Sequence, residues 1–144
     1  MAPDFGAIWD SILTSHHGLR DFDGNVVYVV PRKRLAVESG LSVKGQVVND
    51  SEIEMYVRKI LSLTPFIGPI DIQCFKVDSD IFFTEINPRI AGGLSLSMAA
   101  TENWFEALVA MDKGVSINPV KVNYGLLTMR YLSDCIIHER DLLL

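Results

Sequence analysis

A chain of 144 residues has the size of one ordinary domain and can bury about two-thirds of its unfolded surface, so it needs no disulfide or metal staple to fold. With 13 Lys and Arg against 18 Asp and Glu, a formal charge of −5 argues against a general nucleic-acid binder, which needs a positive field to neutralise phosphates. A hydrophobic fraction of 49% excludes a disordered chain, and no apolar run reaches the ~18–20 residues of a membrane span.

The N-terminus, Met1-Ala2-Pro3-Asp4, lacks the basic start and apolar core of a signal peptide, so a reducing, cytoplasmic setting is expected. Phe5, Ile8, Trp9 and Ile12 recur at helical spacing around Gly6, which fits a short helix or an irregular arm. His16-His17 has the look of a metal pair, but neighbours on a helix or strand point apart, and a loop origin is favoured. Asp21 to Asn25 is turn chemistry, and Val26 to Val30 has the composition of the second arm of a hairpin, punctuated or ended by Pro31. Ser42 to Val48 reads as a second strand with a Gly kink.

Asn49-Asp50-Ser51 supplies candidate N-caps, Ser51-x-x-Glu54 is a capping box, and Ile53, Val57, Ile60 and Leu61 form one helical stripe that Thr64-Pro65 stops. Ile70–Val77 and Ile81–Ile86 read as a hairpin. A helical region then presents Leu94, Met98, Phe105, Leu108 and Met111 and ends at Gly114. Tyr124–Leu132 and Cys135–His138 read as closing strands. This order is that of an α+β fold, a largely antiparallel sheet flanked by helices. Cys74 and Cys135 lie in apolar stretches and are expected as buried free thiols, and Trp9 and Trp104 as core.

The chemistry concentrates on the second hairpin. A three-residue turn, Asp78-Ser79-Asp80, places Val77 opposite Ile81, Gln73 opposite Glu85, and Asp71 opposite Asn87. Opposed Cβ atoms lie about 4.5–5.5 Å apart, so two carboxylates and two amides could converge on one hard cation such as Mg²⁺ or Mn²⁺. A two-residue turn would send Gln73 and Glu85 to opposite faces. Arg89 follows with a guanidinium suited to phosphate, and Gly92-Gly93 and Ser95 precede a helix start that favours an anion. Spacing alone leaves open a metal-and-phosphate site or an ordinary hairpin end with solvated Glu, Asn and Arg. Asp78 and Asp80 are expected as solvated turn residues, His138 as exposed, and Arg32-Lys33-Arg34 as an edge or anion contact.

Glu85-Ile86-Asn87-Pro88-Arg89, followed by Gly92-Gly93, resembles the E-x-N-P-R signature of the ATP-grasp superfamily. Ile70-Asp71-Ile72-Gln73-Cys74-Phe75 is similar to the strand that carries that family's other metal ligand. Pro31–Arg34 through Ser42–Gly45, and Asn103–Leu108, resemble its carbamoyl-phosphate-synthase-like branch, the ATP-binding domain of the large chain. The likeness runs over roughly residues 24 to 139. It implies the C-terminal lobe of an ATP-grasp fold over residues 24–144, with residues 1–23 as a poorly matched N-terminal arm.

The resemblance further implies an ATP- and Mg-dependent carboxylate ligase that forms an acyl-phosphate. Gln73, Glu85 and Asn87 would hold the metal, and Arg89 would act as the catalytic residue. Arg32, Arg34, Arg89, Gly92 and Gly93 would hold the nucleotide or its phosphoryl group. The chain has no Gly-rich loop followed by Lys, so the missing N-terminal lobe or a partner chain is expected to complete the ATP site. The other partner would be a small-molecule carboxylate, with no nucleic acid and no membrane. The alternative is a non-catalytic interaction or regulatory module that keeps the lobe.

Overall fold

The computed structural model describes residues 12–39, 41–77, 79–131, 133 and 136. Six strands, β1 (Ile12–Arg20), β2 (Val26–Glu38), β3 (Leu41–Val47), β4 (Gly68–Val77), β5 (Asp80–Asn87) and β6 (Leu127–Met129), form one sheet in the order β5-β4-β1-β2-β3-β6. Every neighbouring pair is antiparallel. Three helices complete the order among the described residues: α1 (Ser51–Ser62), α2 (Leu94–Ala100) and α3 (Trp104–Asp112).

Strand neighbours point to opposite faces, and each face has its own core. On one, Val29, Ile70, Ile72 and Cys74 pack against Ile53, Val57 and Leu61, the buried stripe of α1. Each such side chain contributes roughly 1.5–3 kcal/mol by leaving water. On the other, Leu19, Tyr28, Val30 and Val47 meet Leu94, Leu96, Ala100, Trp104, Ala107 and Met111 of α2 and α3. The Tyr28 and Trp104 rings stack at 5.9 Å. The expected core role of Trp104 and the buried thiol of Cys74 are both found, whereas Trp9, Cys135 and His138 lie outside the described residues.

Residues 12–20, set apart in an N-terminal arm by the sequence reading, form the strand between β2 and β4. His16 and His17 are therefore buried strand residues rather than loop residues, 0% and 2% exposed. The Asp21–Asn25 turn does close the β1–β2 hairpin, with Gly24 at φ 87°, where a side chain is strained. Pro31 does not end β2. Its carbonyl accepts from Val48 N–H, where the pairing with β3 runs out, so its missing N–H faces that side and costs no bond to β1.

The cap of α1 is Asp50, one of the three candidate caps, rather than the Ser51 of the capping box. Its side chain accepts from Ile53 N–H at 3.1 Å. The predicted single helical region is two helices, broken at Thr101–Asn103, with Asn103 capping α3. The break shifts the helical phase, so Trp104 enters the core and Phe105 is exposed. Among the described residues of the first closing strand, Leu127–Met129 is strand and the rest is not. Cys135–His138 lies outside the described residues except for Ile136.

In the β4–β5 hairpin Val77 pairs with Asp80, so two residues rather than three separate the arms. The shorter turn alone would turn Glu85 away from Gln73. A bulge between Gln73 and Cys74 corrects it: Cys74 pairs with Phe83, Gln73 with Glu85, and Thr84 is the extra residue. Gln73↔Glu85 and Asp71↔Asn87 are thus paired as expected, by a different route.

Candidate functional site

The registers extend the Gln73–Glu85 pair across the sheet. Gln73 pairs with Ser15, and Ser15 with Arg32; Asp71 pairs with His17. Paired strand residues share a face, so Glu85, Gln73, Ser15 and Arg32 form one polar row over four strands. This row lies on the α2–α3 side, beyond the edge of their apolar contact. Gly92 and Gly93, just before α2, close the site from above.

Asp71 and Arg32 organise this face, 3% and 6% exposed. Ser15 Oγ donates to Asp71 Oδ1 at 2.5 Å, and Gln73 Nε2 donates to Asp71 Oδ2 at 3.2 Å. Arg32 Nη2 donates to Ser15 Oγ at 2.8 Å and to His17 Nε2 at 2.6 Å, and Nη1 donates to Gly93 O at 3.0 Å. His17 accepts through Nε2, so its proton sits on Nδ1, 2.9 Å from Ser97 Oγ. Burial and then the Arg32 charge hold His17 well below the ordinary imidazole range, which keeps it neutral. Burial also brings Arg32 down to about 10, opposed by Asp71 at 3.9 Å and reinforced by Arg34 and Arg130.

Around this network lies a cavity of about 340 Å³, lined chiefly by Arg32, Arg34, Arg89, Arg130, Asp71 and Gln73. Ser15, Leu41, Ser42, Ala91, Gly92 and Gly93 complete its wall. The cavity suits an anion, because four guanidinium groups face one lining carboxylate among the described residues. Arg130 Nη2 donates to Gly92 O, and Arg89 Nη1 to Ile90 O at 3.1 Å.

A family model described as "ATP-grasp in the biosynthetic pathway with Ter operon" matches residues 18–135. The chain belongs to the ATP-grasp family. No curated protein matches it. Among solved structures this ATP-grasp chain is similar to pyruvate carboxylase from Rhizobium etli, at 20% identity and a TM-score of 0.68, over 81% of this chain and 13% of that one. It is also similar to N5-carboxyaminoimidazole synthetase from Staphylococcus aureus complexed with ADP, at 19% identity, TM-score 0.62, over 74% and 31%. A third is the biotin carboxylase domain of Hydrogenobacter thermophilus 2-oxoglutarate carboxylase with MgADP and bicarbonate, at 12% identity, TM-score 0.66, over 83% and 29%. The likeness at these identities is one of fold, and the chain spans less than a third of each of these proteins.

Among the expected ATP-grasp site residues, Arg32, Arg34, Arg89, Gly92, Gly93 and Gln73 line the cavity. Glu85 and Asn87 do not line it and stand one strand further out, on β5. No three His, Cys, Asp or Glu side chains cluster as metal ligands among the described residues. The Gln73, Glu85 and Asn87 side chains nevertheless each offer a hard oxygen, while Asn87 Nδ2, buried with no partner among the described residues, can donate to a phosphate oxygen but cannot hold a metal. That set fits a hard divalent cation that keeps waters and shares phosphate oxygens. Ser15, His17, Ser42, Ser97 and Arg130 were not foreseen. Arg130 lay inside an expected closing strand, His17 was set aside with His16 as a loop pair, Ser42 belonged to a stretch with no site role assigned to it, and Ser15 and Ser97 carry no motif. No helix among the described residues is long and apolar enough to cross a membrane.

Proposed function

We propose that this ATP-grasp chain is the C-terminal part of an ATP- and Mg-dependent carboxylate ligase of carbamoyl-phosphate-synthase-like type, working in the cytoplasm. The observation that carries the reading is the four-arginine cavity continuous with the Gln73–Glu85 and Asp71–Asn87 pairs. The reaction would run in two steps. A carboxylate oxygen attacks the γ-phosphorus of ATP, the bond to the bridging oxygen breaks, and ADP leaves. An amine or other nucleophile then attacks the acyl carbon and expels inorganic phosphate.

Phosphoryl transfer depends mainly on positioning and charge, so no nucleophilic side chain is needed. Arg89 and Arg34 would take the charge on the transferred group. Arg32, with both terminal nitrogens held by the protein, would supply a fixed positive potential. Gln73, Glu85 and Asn87 would hold Mg²⁺ or Mn²⁺, which neutralises phosphate oxygens when bound. The opposite side of the nucleotide would come from a further lobe or a partner chain.

Calorimetric titration with MgADP, with that lobe supplied, tests this reading. Binding should depend on Mg²⁺, and Glu85→Gln should weaken it tenfold or more. No Mg-dependent response would overturn the proposal in favour of a non-catalytic interaction module.

A further inference from the structure

A second cavity, of about 690 Å³, adjoins the first at the β2–β3 turn and the residues around the end of β6. Its lining includes Leu41, Val43, Met129 and Tyr131, with Glu38 and Arg130. Leu41 and Arg130 line both cavities. Arg130 is the hinge between them. Its guanidinium donates to Gly92 O at the polar cavity, while its backbone N–H donates to Val43 O at 2.8 Å beside the apolar one. Leu41, Met129 and Tyr131 are 58%, 75% and 87% exposed, an unusual concentration of large apolar side chains around one arginine.

The order across the sheet gives these cavities a direction. The carboxylate and amide pairs lie on β4 and β5, the arginines of β2 lie in the middle, and the apolar lining lies toward β3 and β6. From β4 to β3 is three strand spacings, about 14 Å at ~4.8 Å each. A single small molecule can span the distance from the arginines to the apolar lining.

We propose that the acceptor is an amphipathic carboxylate, its acid group in the arginine cavity and its apolar body running past Leu41 and Arg130 into the second cavity. This rests on the ligase reading for the role of the acid group and adds the class of molecule that carries it. Bicarbonate or acetate has no part that would use the second cavity. Glu38 at its wall disfavours a body with a second acid group there.

The test is calorimetric titration of the whole chain with three probes: 4-phenylbutyrate, acetate with the same head, and 4-phenylbutanamide with the same body and no charge. Phenylbutyrate should bind at least tenfold more tightly than either. Met129→Asp, at an exposed position, should remove its advantage over acetate, and Leu41→Asp should do the same, with melting curves reporting that each variant folds. Equal affinity for acid and amide, equal affinity for phenylbutyrate and acetate, or unchanged discrimination in both variants overturns the proposal. A cavity already filled by polypeptide gives no discrimination and also overturns it. The MgADP titration separates the two readings. Discrimination without any nucleotide response removes the ligase reading and keeps the amphipathic site; nucleotide response without discrimination does the reverse.

Discussion

The Arg32 guanidinium reaches Gly93 O, Ser15 Oγ and His17 Nε2 at once, and a Cβ at Gly93 would fall on that guanidinium. Gly93→Ala should displace it and cost about 1–3 kcal/mol, read as a lower urea midpoint at unchanged slope. It should also weaken phosphate binding. Asp71 is the buried counter-charge, 3.9 Å from Arg32 and hydrogen-bonded by Ser15 and Gln73. Asp71→Asn leaves a buried cation without compensation and should cost about 3 kcal/mol in the same assay. Ser15→Ala removes hydrogen bonds but no charge and should cost less, about 1–2 kcal/mol.

At the scale of elements, the Thr84 bulge offsets the short turn. Deleting Thr84 should leave a regular ladder that still pairs Gln73 with Glu85 and Asp71 with Asn87. The expected result is that Mg-dependent nucleotide binding and the circular dichroism of the sheet are both retained. The hairpin arms were legible because Ile70–Val77 and Ile81–Ile86 are β-branched and aromatic, but bulges leave no compositional mark and the turn length was misread. β1 was illegible for a different reason. Thr14, Ser15, His16 and His17 show no apolar alternation, because their partners are polar too. Ser15 bonds Asp71 and Arg32 on one face, and Thr14 and His16 lie against Cys74 Sγ at 3.0 and 3.3 Å on the other. Strand patterning detects burial through hydrophobicity, and this strand is buried through hydrogen bonds. The E-x-N-P-R run was readable for the opposite reason, since its residues are close in sequence. The arginine cavity draws on β2, the loop before α2 and the end of β6, so sequence distance hid Arg130.

For the whole molecule, adjacent histidines on a central strand place a titratable group in each core. His16 faces the α1 layer, and burial followed by the Arg32 charge lowers it to about 3; His17 faces Trp104 of the α3 layer, with ring centroids 6.3 Å apart. The unfolded chain takes up protons near pH 6.5 while the folded chain does not, so stability is complete above that pH and declines as pH falls toward the folded value. For His16 the loss at pH 5 is about 2 kcal/mol. Urea midpoints at pH 7.5 and 5 should differ by at least that much, and His16→Gln should shrink the difference to the share of His17 even while lowering the midpoint at pH 7.5.

The position of β1 also has a consequence in time. It is made first among the described strands, yet one of its two neighbours, β4, begins 48 residues after β1 ends at Arg20, at Gly68. Until that segment is synthesised, β1 shows an open hydrogen-bonding edge that will later be interior, and apart from Arg20 at its end it lacks the charged or proline-bearing protection of a permanent edge. A nascent chain halted between α1 and β4 is therefore the species in which strand-to-strand association between molecules begins, and rapid delivery of β4 is what ends the exposure.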